Sequence, residues 1–168
     1  MNETNRIIHP FTAIYDQNSE ILILGSFPSV KSREQKFFYG HPQNRFWKVI
    51  SAIFDEKLPQ SIEEKKNMLI RNRIALWDVI ASCVITGSSD SSISNVVVND
   101  LSLILKSSKI EKVFCNGSTS FNLYQKYSFS KTNIVAEKLP STSPANAIWT
   151  LDKLIKEWKC KIITKNLT

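Results

Sequence analysis

The chain has 168 residues, 42% of them hydrophobic, enough for one domain with a sizeable core and too apolar for a disordered chain. Its 22 Lys and Arg against 15 Asp and Glu leave a formal charge of +7, which favours an anionic partner, nucleic acid first. No apolar run approaches the roughly 18 residues needed to span a bilayer, and the polar start lacks a signal-peptide core, so a cytoplasmic protein without membrane contact is expected. Cys83, Cys115 and Cys160 are too far apart for a zinc knuckle, an iron–sulfur cluster or a disulfide framework. They read as small buried apolar residues, and no metal or cofactor is expected.

Along the chain, Met1 to Glu20 is mixed, and Pro10 biases His9 towards an extended form, so a segment packed on the domain edge is predicted. Ile21 to Leu24 is an unbroken apolar run ending in Gly25, the pattern of a strand buried on both faces. Gly25 to Ser29 then forms a turn where backbone approaches a ligand closely, because Gly25 has no side chain and Pro28 fixes the chain. Ser29 to Phe38, with Lys31, Arg33 and Lys36, is an exposed loop or short helical turn, either meeting phosphates or merely solvated. Phe46, Ile50 and Ile53, beside Trp47 and Phe54, fall at helical spacing, and Asn44 is a favoured N-cap for that helix. Ile62 to Arg71 reads as a second helix whose run Glu63 to Lys66 is a solvated face. Ile74 to Ile80 is a further strand or its approach. Thr86 to Ser92 is a polar loop, either a connector or a place where hydroxyls and amides meet a phosphate chain.

Asn99 to Leu105 reads as a helix, Val113 to Cys115 as a strand stopped by Asn116-Gly117, and Ser118 to Tyr127 as a helix. Asn133 to Leu139 contains the last core strand, at Ile134-Val135-Ala136. Ser143-Pro144 predicts a helix start, a hydroxyl N-cap followed by proline, with Ala147, Leu151, Leu154 and Trp158 as its apolar face. Cys160 to Thr168 is a basic tail with a short edge strand at Ile162-Ile163. Alternating strands and helices argue for an α/β fold in three layers, α/β/α, around a mostly parallel sheet of about four strands, as a single domain over 1–168. Ligands bind such sheets at the carboxyl ends of strands, so the chemistry is expected in the loop between Gly25 and Trp47.

Three segments carry a resemblance. Gly25-Ser26-Phe27-Pro28-Ser29, the nonamer Tyr39-Gly40-His41-Pro42-Gln43-Asn44-Arg45-Phe46-Trp47, and Leu139-Pro140-Ser141-Thr142-Ser143-Pro144 resemble the uracil-DNA glycosylase superfamily. The match looks closest to its hypoxanthine (deoxyinosine) DNA glycosylase branch, which has Gly-Ser-Phe-Pro-Ser where the mismatch-specific enzymes have Gly-Ile-Asn-Pro-Gly. Trp77 to Ile80 and Gly87 to Ile93 also resemble that branch, and the likeness spans about Ile21 to Trp158.

The resemblance implies a uracil-DNA glycosylase-like domain that acts as a monomer, without a cofactor, on double-stranded DNA containing a damaged base. It implies that Asn44 is the main catalytic residue, and that Tyr39 stacks on a base extruded from the duplex. Such stacking is worth roughly 1–3 kcal/mol, offsetting much of the extrusion cost. Phe27 stands where most of the superfamily has an Asp or Asn that holds the attacking water, a task Phe27 cannot perform. Gly25, Ser26 and Phe27 would surround the base together with His41, Gln43 and Asn116. His41 and Gln43 donate to base or sugar, or order their loop; Asn116 reads the base edge, or occupies a left-handed turn before Gly117. Ser29, Ser141 and Ser143 match phosphate-pinching loops, with Lys31 and Arg45 also facing DNA, and Pro144-Ala145-Asn146 match the wedge that fills the vacated stack. Two other readings compete. One is a uracil or thymine mismatch glycosylase of the same fold, against which Phe27 argues. The other is a non-catalytic DNA-binding domain, which would bind with strong salt dependence and release no base. A Rossmann-like nucleotide enzyme is remote, since no Gly-x-Gly-x-x-Gly turn is present.

Overall fold

Apolar runs alternate with amphipathic segments, and in the computed structural model, which describes residues 5–163, they assemble in three layers. The central sheet has the order β3-β2-β6-β7, formed by Ile21–Gly25 (β2), Ile74–Asp78 (β3), Lys112–Asn116 (β6) and Ala136–Leu139 (β7). Its pairings are all parallel, Ile23 lying opposite Leu76 on one side and Phe114 on the other. Strand residues point alternately to opposite faces. Ile23, Leu76, Phe114 and Leu139 therefore pack on one side against Phe46–Ile53 (α2), Ile62–Arg71 (α3) and Leu151–Ile162 (α7). Leu22, Leu24, Ala75, Val113 and Cys115 pack on the other against Leu101 and Tyr124, and against Ile104 of Ser102–Lys106 (α4). The expected mostly parallel sheet, covered on both faces, is present.

A second sheet was not anticipated. Arg6–Ile8 (β1), Ile80–Val84 (β4) and Ser94–Val98 (β5) pair antiparallel in the order β1-β4-β5. One residue, Val79, separates β3 from β4, so the two strands share one apolar run in the sequence. Its N–H donates to Gly25 O at 2.8 Å, and the N–H of Ile80 to Ser26 O at 3.1 Å, bending the chain away from the parallel sheet. Phe27, Ile80, Cys83 and Ile85 form a small core of their own beneath this sheet.

Several expected boundaries move. Val30–Gln35 (α1) is a short helix capped by Ser29, whose Oγ accepts from Ser32 N–H at 3.2 Å. The N-cap of α2 is Arg45 rather than Asn44. The helix expected over Ser118 to Tyr127 is Ser118–Leu123 (α5), one wider π turn at Tyr124–Ser128, and Phe129–Thr132 (α6). The last strand begins at Ala136, leaving Val135 74% exposed. Ser143-Pro144 does not start a helix: residues 143–149 are successive turns, and α7 begins at Leu151 with Thr150 as its cap. The edge strand expected at Ile162-Ile163 is absent because Ile162 closes α7 with its side chain buried. The rest of the expected basic tail, 164–168, lies outside the described residues. Among those described, no helix is long and apolar enough to cross a membrane.

Candidate active site

Three neighbouring strands end in residues without bulky apolar side chains: β3 in Asp78, β2 in Gly25 and β6 in Asn116. Over their carboxyl ends lies a cavity of about 310 Å³, a size usual for small-ligand sites. Its walls are the turn Ser26 to Ser29, the segment holding Tyr39, His41 and Asn44, and the loop Ser141 to Ala145; Ser88 and Asp90 stand at its rim.

Asn44 has its amide orientation fixed. The N–H of Phe46, the first residue of α2, donates to Asn44 Oδ1 at 3.0 Å, and Thr142 Oγ1 donates to the same oxygen at 2.9 Å. A carbonyl oxygen has two lone pairs, so both are occupied and Nδ2 with its two hydrogens is left for the cavity. Asn116 is fixed the same way: its Oδ1 accepts from Thr142 N–H at 3.0 Å. Its Nδ2 donates to Thr142 Oγ1 at 3.0 Å and to the Tyr39 hydroxyl at 3.2 Å. Thr142, fully buried, is the hub of this one-directional chain from Asn116 through Thr142 to Asn44. Asn116 is a strand residue, not the left-handed turn considered above; the positive φ of 93° belongs to Gly117.

Tyr39 has φ of 53°, a region that bulky residues rarely adopt. Its ring lies on that of Phe46, centroids 4.1 Å apart and planes 18° from parallel, which together with the Asn116 bond holds the conformation. Burial, reinforced by the Asp78 carboxylate, pushes the Tyr39 hydroxyl pKa well up, so it remains a protonated donor at neutral pH. Gly25 admits no side chain: a Cβ there would lie 2.4 Å from Asp78 Oδ1 and 2.9 Å from the Tyr39 hydroxyl. The other carboxylate oxygen of Asp78 is 2.7 Å from His9 Nε2.

Of the residues predicted from sequence, Gly25, Ser26, Phe27, Ser29, Tyr39, His41, Asn44, Asn116, Ser141, Ser143, Pro144 and Ala145 line this one cavity. Phe27 also packs into the core beneath the second sheet. His41 Nδ1 accepts from Gln43 N–H at 3.1 Å within its own loop. Gln43 and Lys31 are exposed and outside the lining, Lys31 pairing with Glu34 at 3.7 Å. Asn146 lines an adjoining groove, with its side chain donating to Ser141 O at 3.0 Å. The Arg45 guanidinium faces the protein. It donates to the carbonyls of Ser143 (2.9 Å), Asn146 (3.1 Å), Thr142 (3.4 Å) and Trp149.

Sequence reasoning passed over Thr142, Asp78, His9 and Asp90. Asp78 had a signal, a lone carboxyl inside an apolar strand. Asp90 accepts from Ser26 Oγ at 3.1 Å, and burial raises its carboxyl pKa. No group of three or more His, Cys, Asp and Glu among the described residues is arranged to hold a metal ion.

The cavity at the carboxyl edge of the four-stranded parallel sheet sits where α/β proteins bind their ligands. The family model of the uracil DNA glycosylase superfamily matches residues 12–165, and the chain belongs to that superfamily. Among its relatives is a hypoxanthine DNA glycosylase of Methanosarcina acetivorans, 36% identical over 137 residues, covering 81% of this chain and 86% of the relative. Another hypoxanthine DNA glycosylase, from Methanosarcina barkeri, is 37% identical over 113 residues, covering 66% and 71%. A solution NMR structure from Methanosarcina acetivorans, described as a candidate uracil DNA glycosylase, superposes with a TM-score of 0.78 at 33% identity, covering 94% of this chain and 96% of that one. The relatives' names support a DNA glycosylase, whose substrate is DNA.

Proposed function

We propose that this protein is a monofunctional glycosylase that extrudes hypoxanthine, the deamination product of adenine, from double-stranded DNA. It then hydrolyses the N-glycosidic bond to leave an abasic site. The observation that carries the reading is the Asn44 amide, with both oxygen lone pairs occupied and its N–H₂ left to the cavity. As the bond breaks, its electron pair moves onto the base and positive charge builds on C1′, which water then attacks; no covalent enzyme intermediate is needed. Fixed donors aimed at the developing negative charge are the most effective aid, one such donor contributing about 10²–10³ in rate. Asn44 Nδ2 is that donor. Its oxygen has no lone pair left for a water, so Asn44 neither holds nor activates the nucleophile. The free ring face of Tyr39 receives the base, and His41 Nε2–H adds a donor at the wall. Both amide hydrogens of Asn116 are used by Thr142 and Tyr39, so it offers the base no donor and acts through those two residues. Backbone N–H groups and hydroxyls around Ser29, Ser141 and Ser143, with Lys31, take the flanking phosphates, and Pro144 to Asn146 enter the vacated stack. Phe27 can hold no water, which favours hypoxanthine over the uracil or thymine chemistry of the mismatch enzymes.

The test is base release from labelled duplexes carrying one hypoxanthine or one uracil, with EDTA present, followed by alkaline cleavage at abasic sites. Hypoxanthine release is expected. Release of uracil alone would reassign the substrate, and salt-sensitive binding with no release from either would leave a DNA-binding domain.

A further inference from the structure

His9 and Asp78 form a buried pair under the cavity that no step above uses, each side chain 4% exposed. The rings of Phe11, Phe27 and Phe38 enclose the imidazole at centroid distances of 4.5, 5.9 and 6.1 Å. The N–H of Phe11 points at His9 Nδ1 (3.4 Å), so the hydrogen-bond pattern assigns the ring proton to Nε2, which donates to Asp78 Oδ2 at 2.7 Å. That bond leaves Oδ1 over the backbone of Gly25, where the missing side chain makes room for it. Oδ1 accepts no hydrogen bond among the described residues, and Asp78 lines the cavity. A carboxylate oxygen is an acceptor only, and this one is presented to whatever enters.

We propose that Asp78 Oδ1 accepts the ring N–H of the extruded base, and that this contact selects bases protonated at that nitrogen over adenine. The inference rests on the glycosylase reading above. Deamination of adenine changes two atoms of the base edge: the amino group becomes a carbonyl, and N1 changes from a lone-pair acceptor to an N–H donor. A fixed carboxylate accepts from N1–H of hypoxanthine and repels the N1 lone pair of adenine. Sites built to bond a substrate N–H reject the analogue lacking it far more strongly than apolar pockets reject a size change. His9 is a positioning residue, holding Oδ2 so that Oδ1 faces the base. The contact pushes electron density into the base and so does not assist its departure. It serves recognition, while Asn44 serves the bond cleavage.

The test uses the full chain under single-turnover conditions, on duplexes with one deoxyinosine, one N1-methyl-deoxyinosine or one normal deoxyadenosine at the same position. The wild type is expected to release N1-methylhypoxanthine at least about 100-fold more slowly than hypoxanthine. In Asp78→Asn the amide oxygen takes the His9 Nε2–H and turns N–H₂ towards the base. Hypoxanthine release should then fall about 100-fold and its preference over adenine should collapse. Wild-type release of the two hypoxanthines within about threefold, or an unchanged preference in Asp78→Asn, overturns the proposal and leaves the glycosylase reading intact. Absence of any hypoxanthine release by the wild type overturns that reading and this inference together. Should Asp78→Asn fail to fold by circular dichroism, the methylated base decides with the wild type alone.

Discussion

At Thr142 a single hydroxyl serves two asparagines, accepting from Asn116 Nδ2 and donating to Asn44 Oδ1. Thr142→Val keeps the shape and removes both bonds. It leaves the Asn44 oxygen half-satisfied and free to rotate away from its place, at a cost of about 1–3 kcal/mol. Base excision should fall roughly 10–100-fold in single-turnover assays, with Thr142→Ser restoring most of it. A Thr142→Val enzyme at wild-type rate would show that the Phe46 N–H alone holds the Asn44 amide. Asn44 and Tyr39 were legible in the sequence because they stand at fixed spacing inside one nonamer. Thr142 lies inside a recognisable motif and Asp78 interrupts an apolar strand, but their roles were not legible, because these lie in partners 98 and 69 positions away, Asn44 and His9.

At the scale of elements, the loop between β7 and α7 shows where local rules lose. Ser143-Pro144 has the composition of a helix start. Yet Ser143 O and Asn146 O accept from the N–H groups of Asn146 (2.9 Å) and Trp149 (3.2 Å) in separate turns, and Arg45 donates to the same two carbonyls and to that of Trp149, holding the chain in turns. Capping falls to Thr150, whose Oγ1 accepts from Lys153 N–H at 3.3 Å. Arg45→Ala should therefore lower stability by about 2–3 kcal/mol in urea unfolding, and lower excision as well by loosening Ser141 to Ala145. A loss under about 0.5 kcal/mol would mean the turns hold themselves. The central strands were legible because Leu22 to Leu24 and Val113 to Cys115 are buried on both faces and read as unbroken apolar runs. The antiparallel sheet was not: β5 is half-exposed and polar at one end, and β4 follows β3 after a single residue.

For the whole molecule, the doubly covered parallel sheet gathers the ends of β3, β2 and β6 at one edge, and the net charge of +7 favours DNA approaching it. Binding by cationic contacts releases counterions in proportion to the phosphates neutralised. With about four phosphates engaged, affinity for duplex DNA should fall about 100-fold between 50 and 200 mM salt, read by fluorescence anisotropy. A change below about threefold would place recognition in hydroxyls and backbone amides, with charge a bystander.

The most direct test of the account is the rate of hypoxanthine release by Asn44→Asp beside the wild type. The aspartate keeps an oxygen for both contacts, to Phe46 N–H and Thr142 Oγ1, and replaces the N–H₂ donor by a charged acceptor oxygen. The account predicts a fall of about 100-fold or more, with the fold intact, because the amide nitrogen supplies the catalysis. Activity near the wild-type level would contradict it and return the catalytic role to the oxygen or to another group in the cavity.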